Sequence, residues 1–496
     1  MRTQRFEVLS QAEVERIDAA SMEILREVGI KVPYPTARAI YQEAGAIVDD
    51  EAMSVKLPEK LVRWAIAQAP QQFTIYGRNA DFQLPIGPEQ EKPVFAGLGT
   101  PTRMIDLETG ELRPSTKQDM LDHIVLVNAC KNIHNTQMDV WPNDIPMTTI
   151  HTEAIYGWAH NSEKSFGLGC YGYLPTWDMM RMMAMVVGGK EELMKRPRFM
   201  AICSVVSPLQ MDQVQAEGML MCAAYGQPMA VSPEGIAGAT SPVTLAGLLA
   251  QENAGILAHI TLAQIFRPGT PLFYGTVSTV SNMRFGTVAL GAPETGLITA
   301  ASAQMARHYK LPIRSVGAAT EAKRADYQAG MERMGNLLPA VLAGVNFITC
   351  GGTLDGTMLE DHAMLMLDDE MCEAAVRTAR GITVNDETLA LDLIKKVGFN
   401  GNYLAEDHTA AHFRKELFIP KLYSREPYET WEKEGRKLAL DNAREQAKKV
   451  LANHQPTILD AALEKELEAF RQEVAARSVD DFYRFEDPRV QDYKSL

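Results

Sequence analysis

The sequence lacks the long apolar runs that mark membrane-spanning and secreted proteins. No apolar run approaches the roughly 18 residues that a membrane helix needs, and the opening stretch, MRTQRFEVLSQAEVERI, carries charges throughout. We therefore expect no membrane span, no secretory signal and a cytoplasmic location. With 46% hydrophobic and 23% charged residues, the chain nevertheless has enough apolar content to bury a large core.

Cysteine is also scarce, and the 63 acidic residues outnumber the 49 lysines and arginines. The six cysteines form no CxxC motif and no Cys/His cluster, so we expect buried free thiols rather than a disulfide framework or a structural zinc site. The net charge of -14 argues against a nucleic-acid partner, which normally meets a basic surface. A small molecule or another protein is the expected partner.

Several catalytic signatures are missing. The sequence has no GxSxG serine and no HExxH helix, which argues against a serine hydrolase and against a zinc protease. His408 and His412, in LAEDHTAAHFRKE, stand one helical turn apart. This pair has three possible roles: packing against the barrel, metal binding and contact with a partner. We predict that the protein holds no metal.

From about residue 93 onward, short β-rich apolar runs alternate with helical stretches. This alternation is typical of βαβ units, and eight such runs predict a closed (β/α)8 barrel of the α/β class. The predicted strands are 94–98, 132–141, 165–171, 199–207, 228–233, 271–280, 313–319 and 346–354. The predicted helices are 149–161, 177–187, 211–224, 243–266, 294–308, 325–343 and 360–380. A doubly wound sheet is the alternative, although no GxGxxG or GxxxxGK[ST] motif follows any predicted strand.

Other patterns divide the chain into three regions. Residues 1–92 show amphipathic helical spacing broken by glycine and proline, which predicts an N-terminal helical cap. Residues 93–400 form the predicted catalytic barrel, in which MIDLETGELRPSTKQDM also resembles a hairpin. Residues 401–496 form a charged helical extension, interpreted as surface helices that complete the fold. Partner binding or a subunit contact in a homo-oligomer is the alternative for the extension.

Active sites of parallel barrels lie at the carboxyl ends of the strands. Aromatic and acidic residues dominate those ends here. A quaternary ammonium group has no N–H to donate, so proteins bind it with aromatic faces and a carboxylate nearby. We predict that the aromatic residues at the strand ends form such a cage. The alternative is that they only fill the core of the barrel. The strand-end candidates, aromatics first, are Phe95, Trp141, Tyr171, Tyr274, Glu234, Asp355, Asp139 and Glu321.

The chain resembles a known family, the trimethylamine methyltransferases. This family has homologues that lack pyrrolysine, among them the glycine betaine:corrinoid methyltransferases. The match runs nearly end to end. The segments that carry it are GTPTRMIDLETGELRPSTKQD, SPEGIAGATSPVTLAGLLAQENAG, FYGTVSTVSNMRFGTVALGAPE, ATEAKRADYQAGME and GNYLAEDHTAAHFRKELFIPKLYSR.

The resemblance implies a barrel that presents the methyl group of an amine to Co(I) of a separate corrinoid protein, with no cofactor held tightly by this chain. Some members bind the amine with pyrrolysine, whereas this chain contains only the twenty ordinary amino acids. A quaternary amine such as glycine betaine, proline betaine, carnitine or γ-butyrobetaine is therefore preferred to trimethylamine. Because such an amine leaves as a neutral tertiary amine, no general acid is required and no catalytic residue is assigned.

A betaine also carries a carboxylate, for which Arg284 in SNMRFG is the candidate donor, unless it is an ion-paired surface residue. Two glycine-rich stretches would let a corrinoid ring approach the backbone, or are ordinary loop turns. Two other functions stay open: a non-catalytic betaine-binding protein, and a barrel lyase or hydrolase with Glu234 and Asp355 as paired carboxylates. The glycines in question are Gly97, Gly99, Gly351 and Gly352.

Overall fold

The computed structural model describes residues 5–137, 140–399 and 401–484, and its centre is a closed barrel of eight parallel strands. Each strand falls inside one of the eight predicted runs. The strand β1 pairs with both β2 and β8, so the sheet has no open edge and the doubly wound alternative is wrong. The strands are β1 Val94–Gly97, β2 Ile133–Gln137, β3 Ser165–Gly169, β4 Phe199–Val205, β5 Met229–Pro233, β6 Leu272–Thr276, β7 Ile313–Val316 and β8 Phe347–Gly351.

A helix follows each barrel strand. The seven predicted helices are confirmed, and the eighth, Lys117–Ala129, starts at a capping box between Thr116 and Asp119. Leu245–Phe266 is apolar around its whole circumference because barrel strands lie on one side and N-terminal helices on the other. The eight helices are Lys117–Ala129, Ile150–Asn161, Tyr173–Val187, Gln213–Ala224, Leu245–Phe266, Pro293–His308, Tyr327–Ala343 and His362–Arg380. Two short additions are Met147–Thr149 and Lys190–Lys195.

The N-terminal region is less helical than its sequence pattern predicts. It contains the helices Gln11–Glu27, Pro35–Glu43 and Glu59–Gln68, but strands lie between and after them. These strands are too short for alternation of apolar and polar residues to identify them in the sequence. They are Ile30–Lys31, Ile47–Asp49 and Ser54–Lys56, which form one sheet, and Phe73–Tyr76 and Gln83–Ile86, which form a hairpin.

That hairpin closes the amino end of the barrel. Ile75, Leu84 and Ile86 pack against apolar side chains that fill the barrel interior near its amino end. The buried barrel residues in this cluster are Val94, Ala96, Met200, Ala230, Phe273 and Phe347. Packed side chains therefore close the amino end of the barrel. The carboxyl end, where parallel barrels bind their substrates, is the end at which a cavity can form.

Two small sheets surround the carboxyl end. One contains the hairpin predicted in MIDLETGELRPSTKQDM, which is therefore confirmed. Both sheets are built from segments that directly follow barrel strands, so they position the loops of the barrel mouth. The first contains Arg103–Ile105, Leu112–Pro114, Thr353–Leu354 and Leu359–Glu360, and the second contains Ile236–Ala237, Thr279–Asn282 and Thr287–Ala289.

After the barrel, short helices cover its outer layer. Ala439–Asn453 packs on the helices after β1 and β8, and Ala461–Ala475 packs on the helices after β2 and β3. Within the described residues, no helix is both long and apolar enough to cross a membrane. The helices of this region are Asp386–Leu389, Leu391–Val397, Asp407–Glu416, Tyr428–Lys433, Ala439–Asn453, Ala461–Ala475 and Val479–Phe482.

Candidate active site

A cavity of about 450 Å³ opens at the carboxyl end of the barrel. Its wall mixes apolar side chains with one carboxylate, one guanidinium and several amide and hydroxyl groups. The residues that line it are Leu98, Gly99, Thr100, Gln137, Leu168, Gly169, Tyr171, Ile202, Ser204, Gln215, Glu234, Ile236, Val277, Thr279, Val288, Leu290, Arg314, Gly356 and Thr357.

A larger cleft, of about 700 Å³, lies at the opposite end of the barrel beside Arg307, Lys310 and Asn346. It lies at the amino ends of the strands, where residues of parallel barrels generally serve stability. We therefore take the cavity at the carboxyl end as the candidate active site.

Strand register decides which side chains enter the barrel. Neighbouring partners in a sheet point to the same face, and successive residues point to opposite faces. Arg314 is paired with Gly275 on one side and with Phe347 on the other. Phe347 belongs to the apolar cluster inside the barrel that also contains Val94 and Phe273, so Arg314 points inward as well. Its side chain lines the cavity and the residue is 3% exposed.

The same register turns Phe95 and Tyr274 outward, so the structure does not bring these two cage candidates to the cavity. The Tyr274 hydroxyl donates to Oδ1 of Asn253 at 3.1 Å, within the helical layer. Burial holds the pKa of Tyr274 well above its usual value. Phe95 stacks on His134, with ring centres 6.3 Å apart. Both aromatics serve packing between the barrel and its helices.

Trp141 and Tyr171 do lie together, with ring centres 5.9 Å apart. They line an aromatic side pocket of about 320 Å³, which shares Leu168 and Tyr171 with the main cavity. Tyr171 folds over Gly169, where an added Cβ would lie 3.0 Å from the tyrosine ring. Two of the four aromatic candidates therefore lie side by side. The side pocket is lined by Trp141, Met147, Ile150, His151, Leu168, Tyr171, Pro175, Val214, Phe482 and Tyr483.

Glu234 supplies the carboxylate of the main cavity. It follows β5 directly, and its Oε1 accepts a hydrogen bond from the Ser204 hydroxyl at 3.2 Å. The backbone N–H of Ser204 in turn donates to the side chain of Gln215 at 3.0 Å. The carboxylate is therefore oriented by the neighbouring strand while it stays exposed to the cavity.

The other two charged candidates lie elsewhere. Arg284 is exposed at the tip of the hairpin between Thr279–Asn282 and Thr287–Ala289, with its guanidinium 5.2 Å from the Phe285 ring centre. Asp355 forms ion pairs with Arg103 at 3.1 Å and with Lys323 at 2.5 Å. Neither residue lines the cavity, so the structure does not join Asp355 to Glu234 as a carboxylate pair.

Of the four candidate glycines, Gly99 lines the cavity. Its φ of +86° is in the left-handed region, and a Cβ there would lie 2.8 Å from Cβ of Thr357. Gly97 and Gly351 pair with each other where β1 meets β8. Gly352 lies directly against the carboxylate of Glu360. A Cβ at position 352 would be 2.0 Å from Oε1 of Glu360.

The remaining strand-end and histidine candidates have local roles or are not described. Asp139 lies outside the described residues. Glu321 accepts from the backbone N–H of Gly291 at 2.8 Å. The rings of His408 and His412 lie 4.3 Å apart, and His412 contacts Glu387 at 3.3 Å. Among the described residues, no third histidine, cysteine or acidic ligand completes a metal group around the pair.

Arg314 was missed in the sequence. The sequence does contain a signal: Arg314 is the second residue of a short, mostly apolar run in PIRSVGAA, and charged residues are rarely buried in such strands without a partner or a function. Arg314 lies near the start of the predicted strand, so the rule that active-site residues stand at carboxyl ends does not select it.

A family model for trimethylamine methyltransferases matches residues 1–477. The chain belongs to the trimethylamine methyltransferase family. It is 34% identical to a glycine betaine methyltransferase of Desulfitobacterium hafniense (strain Y51), over 94% of this chain and 96% of that protein. It is also 34% identical to a trimethylamine methyltransferase of Desulfitobacterium hafniense (strain DSM 10664 / DCB-2), over 90% of each chain.

Among solved structures, this member of the trimethylamine methyltransferase family is similar to the monomethylamine methyltransferase of Methanosarcina barkeri. The TM-score is 0.49 and the identity 12%, over 90% of this chain and 89% of that one. The sequence relatives identify the chain as a methyltransferase. Its (β/α)8 fold follows from the closed barrel itself.

Proposed function

We propose that this methyltransferase removes a methyl group from a quaternary amine and transfers it to Co(I) of a separate corrinoid protein. Support comes from the family membership and from the glycine betaine methyltransferase among its relatives. The chain contains only the twenty ordinary amino acids, so it has no pyrrolysine to bind a tertiary amine. The candidate substrates are glycine betaine, proline betaine, carnitine and γ-butyrobetaine.

The observation that carries the proposal is the pair of opposite charges in one cavity. A betaine is a zwitterion, with a permanent ammonium and a carboxylate. Glu234 attracts the ammonium, and the guanidinium of Arg314 offers the planar donors that bind a carboxylate. Arg314 takes the role predicted for Arg284, because Arg314 is buried in the cavity wall whereas Arg284 is exposed.

The transfer needs little from acid or base groups. The partner's corrinoid would supply the nucleophile, and the C–N bond breaks with its electron pair left on a neutral tertiary amine. The enzyme has to hold the N–CH3 bond in line and keep water away, which is catalysis by position. Tyr171 presents an aromatic face at the cavity wall, and Glu234 and Arg314 fix the two ends of the substrate.

The rim is suited to the approach of a large planar group. Gly99 and Gly356 line the cavity without side chains, and no atom lies closer than 3.8 Å to a Cβ built on Gly356. We propose that the corrinoid protein docks at this end of the barrel. Paired-carboxylate lyase or hydrolase chemistry has less support, because Asp355 is engaged by two cations outside the cavity.

The test combines the purified enzyme, its reduced corrinoid protein and one candidate amine at a time. We expect loss of the Co(I) absorbance together with release of the demethylated amine, for example dimethylglycine from glycine betaine. Tight calorimetric binding of a betaine without either change would identify a binding protein instead. Turnover of an amine in the absence of the corrinoid protein would exclude the proposed acceptor.

A further inference from the structure

A second group of chemically capable side chains lies away from the barrel cavity. His123 lies on the helix after β1, Glu360 ends a short strand, and His362 begins the helix after β8. Each offers one ligand atom, and these atoms all lie within 4.8 Å of one another. In the part of the chain that the structure describes, this is the one group of three or more such residues.

The three side chains are removed from water. His123 and Glu360 have side chains that are 1% and 0% exposed, and Nδ1 of His123 lies 3.1 Å from Oε1 of Glu360. His362 is equally buried, and its Nε2 has no hydrogen-bond partner. Because a buried polar atom without a partner is unfavourable, this nitrogen is available to bind a ligand.

Gly352 makes room for the carboxylate of this group. Its φ is +81°, and any Cβ at this position would lie 2.0 Å from Oε1 of Glu360. A side chain at position 352 would therefore collide with the carboxylate of Glu360 in its present position. The glycine that the sequence suggested for corrinoid approach instead accommodates Glu360.

We propose that His123, Glu360 and His362 bind one divalent transition-metal ion, with Zn²⁺ as the best fit. Two neutral imidazoles and one carboxylate form a nitrogen and oxygen donor set that zinc accepts. The second carboxylate oxygen of Glu360 or a water molecule would complete four ligands. The expectation that the protein holds no metal is revised accordingly.

All three residues are buried, which leaves a substrate no access to the ion. We therefore assign the ion a structural role and not a catalytic one. The site joins the segments that follow β1 and β8. Those two segments carry Gly99 and Thr357, which line the cavity. The ion would thus hold one side of the barrel mouth together without taking part in methyl transfer.

The first measurement uses the full chain. Protein stripped with a chelator and dialysed is titrated with ZnCl2, and bound zinc is measured by mass spectrometry and calorimetry. We expect close to one tightly bound Zn²⁺ per chain and a rise in unfolding temperature, because ligand binding stabilises the folded state. X-ray absorption should show only nitrogen and oxygen neighbours at about 2.0–2.1 Å. No retained zinc together with an unchanged unfolding temperature would overturn the proposal.

The second measurement compares His362→Gln and Glu360→Gln with His259→Gln as a matched control. His259 is another fully buried histidine, and its Nε2 likewise has no hydrogen-bond partner. Loss of a ligand should weaken zinc binding by on the order of 100-fold or more, whereas the control should bind as wild type does.

A third variant separates this site from the His408 and His412 pair. His408→Gln/His412→Gln should retain the zinc. If this double variant loses zinc while His362→Gln keeps it, the metal belongs to the other pair and the proposal is wrong. Methyl transfer is not needed for any of these readings, so their outcome is independent of the proposed function.

Discussion

Arg333 and Asp368 form a fully buried ion pair at the end of β8. Nε of Arg333 lies 2.9 Å from Oδ1 of Asp368, and neither side chain has any exposed surface. Arg333 also donates to the carbonyls of Cys350 and Thr353, and the backbone N–H of Gly352 donates to Asp368 at 2.8 Å. The pair therefore fixes the backbone where β8 turns into the rim of the cavity.

Replacing Arg333 with methionine should lower the free energy of unfolding by about 3–5 kcal/mol, because Asp368 would remain buried without its partner. The measurement is equilibrium unfolding in urea. Arg333→Met/Asp368→Leu should recover part of the loss, since it removes both charges. As a control, Arg26→Met disrupts an exposed ion pair with Glu27 and should leave stability unchanged. Equal effects of Arg333→Met and Arg26→Met would contradict the assigned role.

Arg314→Met should reduce kcat/KM for the betaine substrate by roughly 10-fold to 150-fold. The range corresponds to the roughly 1.5–3 kcal/mol of a hydrogen bond to a charged group. Arg284→Met is the matched control, because it removes a guanidinium that lies outside the cavity. Steady-state kinetics with the corrinoid protein provides the reading. If Arg284→Met is the damaging change and Arg314→Met is silent, the carboxylate site is on the hairpin.

Glu234→Gln keeps the shape of the side chain and removes its charge. Binding of a permanent cation should weaken by about 10-fold, as expected for loss of one nearby charge in a partly exposed site. Calorimetry with the betaine measures the change. Glu332→Gln is a suitable control, because Glu332 caps a loop by accepting from Thr320 and the N–H of Glu321. Unchanged betaine affinity in Glu234→Gln would remove this residue from the site.

Substitutions of Tyr171 and Tyr274 should have different effects, the first on turnover and the second on stability. Tyr274→Phe removes a buried hydrogen bond to Asn253 and should cost about 1 kcal/mol of stability with turnover retained. Tyr171→Leu should reduce turnover, because its ring lines the cavity. Thermal unfolding and kinetics are measured on both variants. A loss of turnover in Tyr274→Phe at normal stability would show that the Tyr274 hydroxyl acts in the reaction and would contradict its assignment to packing.

Glu252 should make stability fall as pH rises. Burial raises its pKa to about 7 in the folded protein, whereas the unfolded value is about 4.3. The folded state therefore holds a proton that the unfolded chain has lost, and this stabilisation declines as pH rises toward and through 7. The loss between about pH 5 and pH 8 is at most about 3 kcal/mol. Glu252→Gln should flatten that part of the profile, and an unchanged slope in denaturant unfolding would exclude Glu252 as its source.

The charge pattern inside the barrel shows where sequence reasoning reaches its limit. The position of each barrel strand followed from runs of apolar residues, but a strand assignment that is correct in extent does not say which of two alternating faces points inward. The sequence pattern predicts Phe95 and Tyr274 at the cavity, but both side chains face the helices. Arg314 faces the cavity and was not assigned to it.

The amino-acid sequence alone predicts the eight strands and seven of the eight helices that follow them, because burial on both faces of a parallel sheet leaves continuous apolar runs. It also determined the family, through segments spread along the chain. Which side chains share a site depends on the three-dimensional fold. His123 is far in sequence from Glu360 and His362, and closure of the barrel between β1 and β8 brings their helices and strands together. Such contacts depend on register and ring closure, which no local pattern of residues encodes.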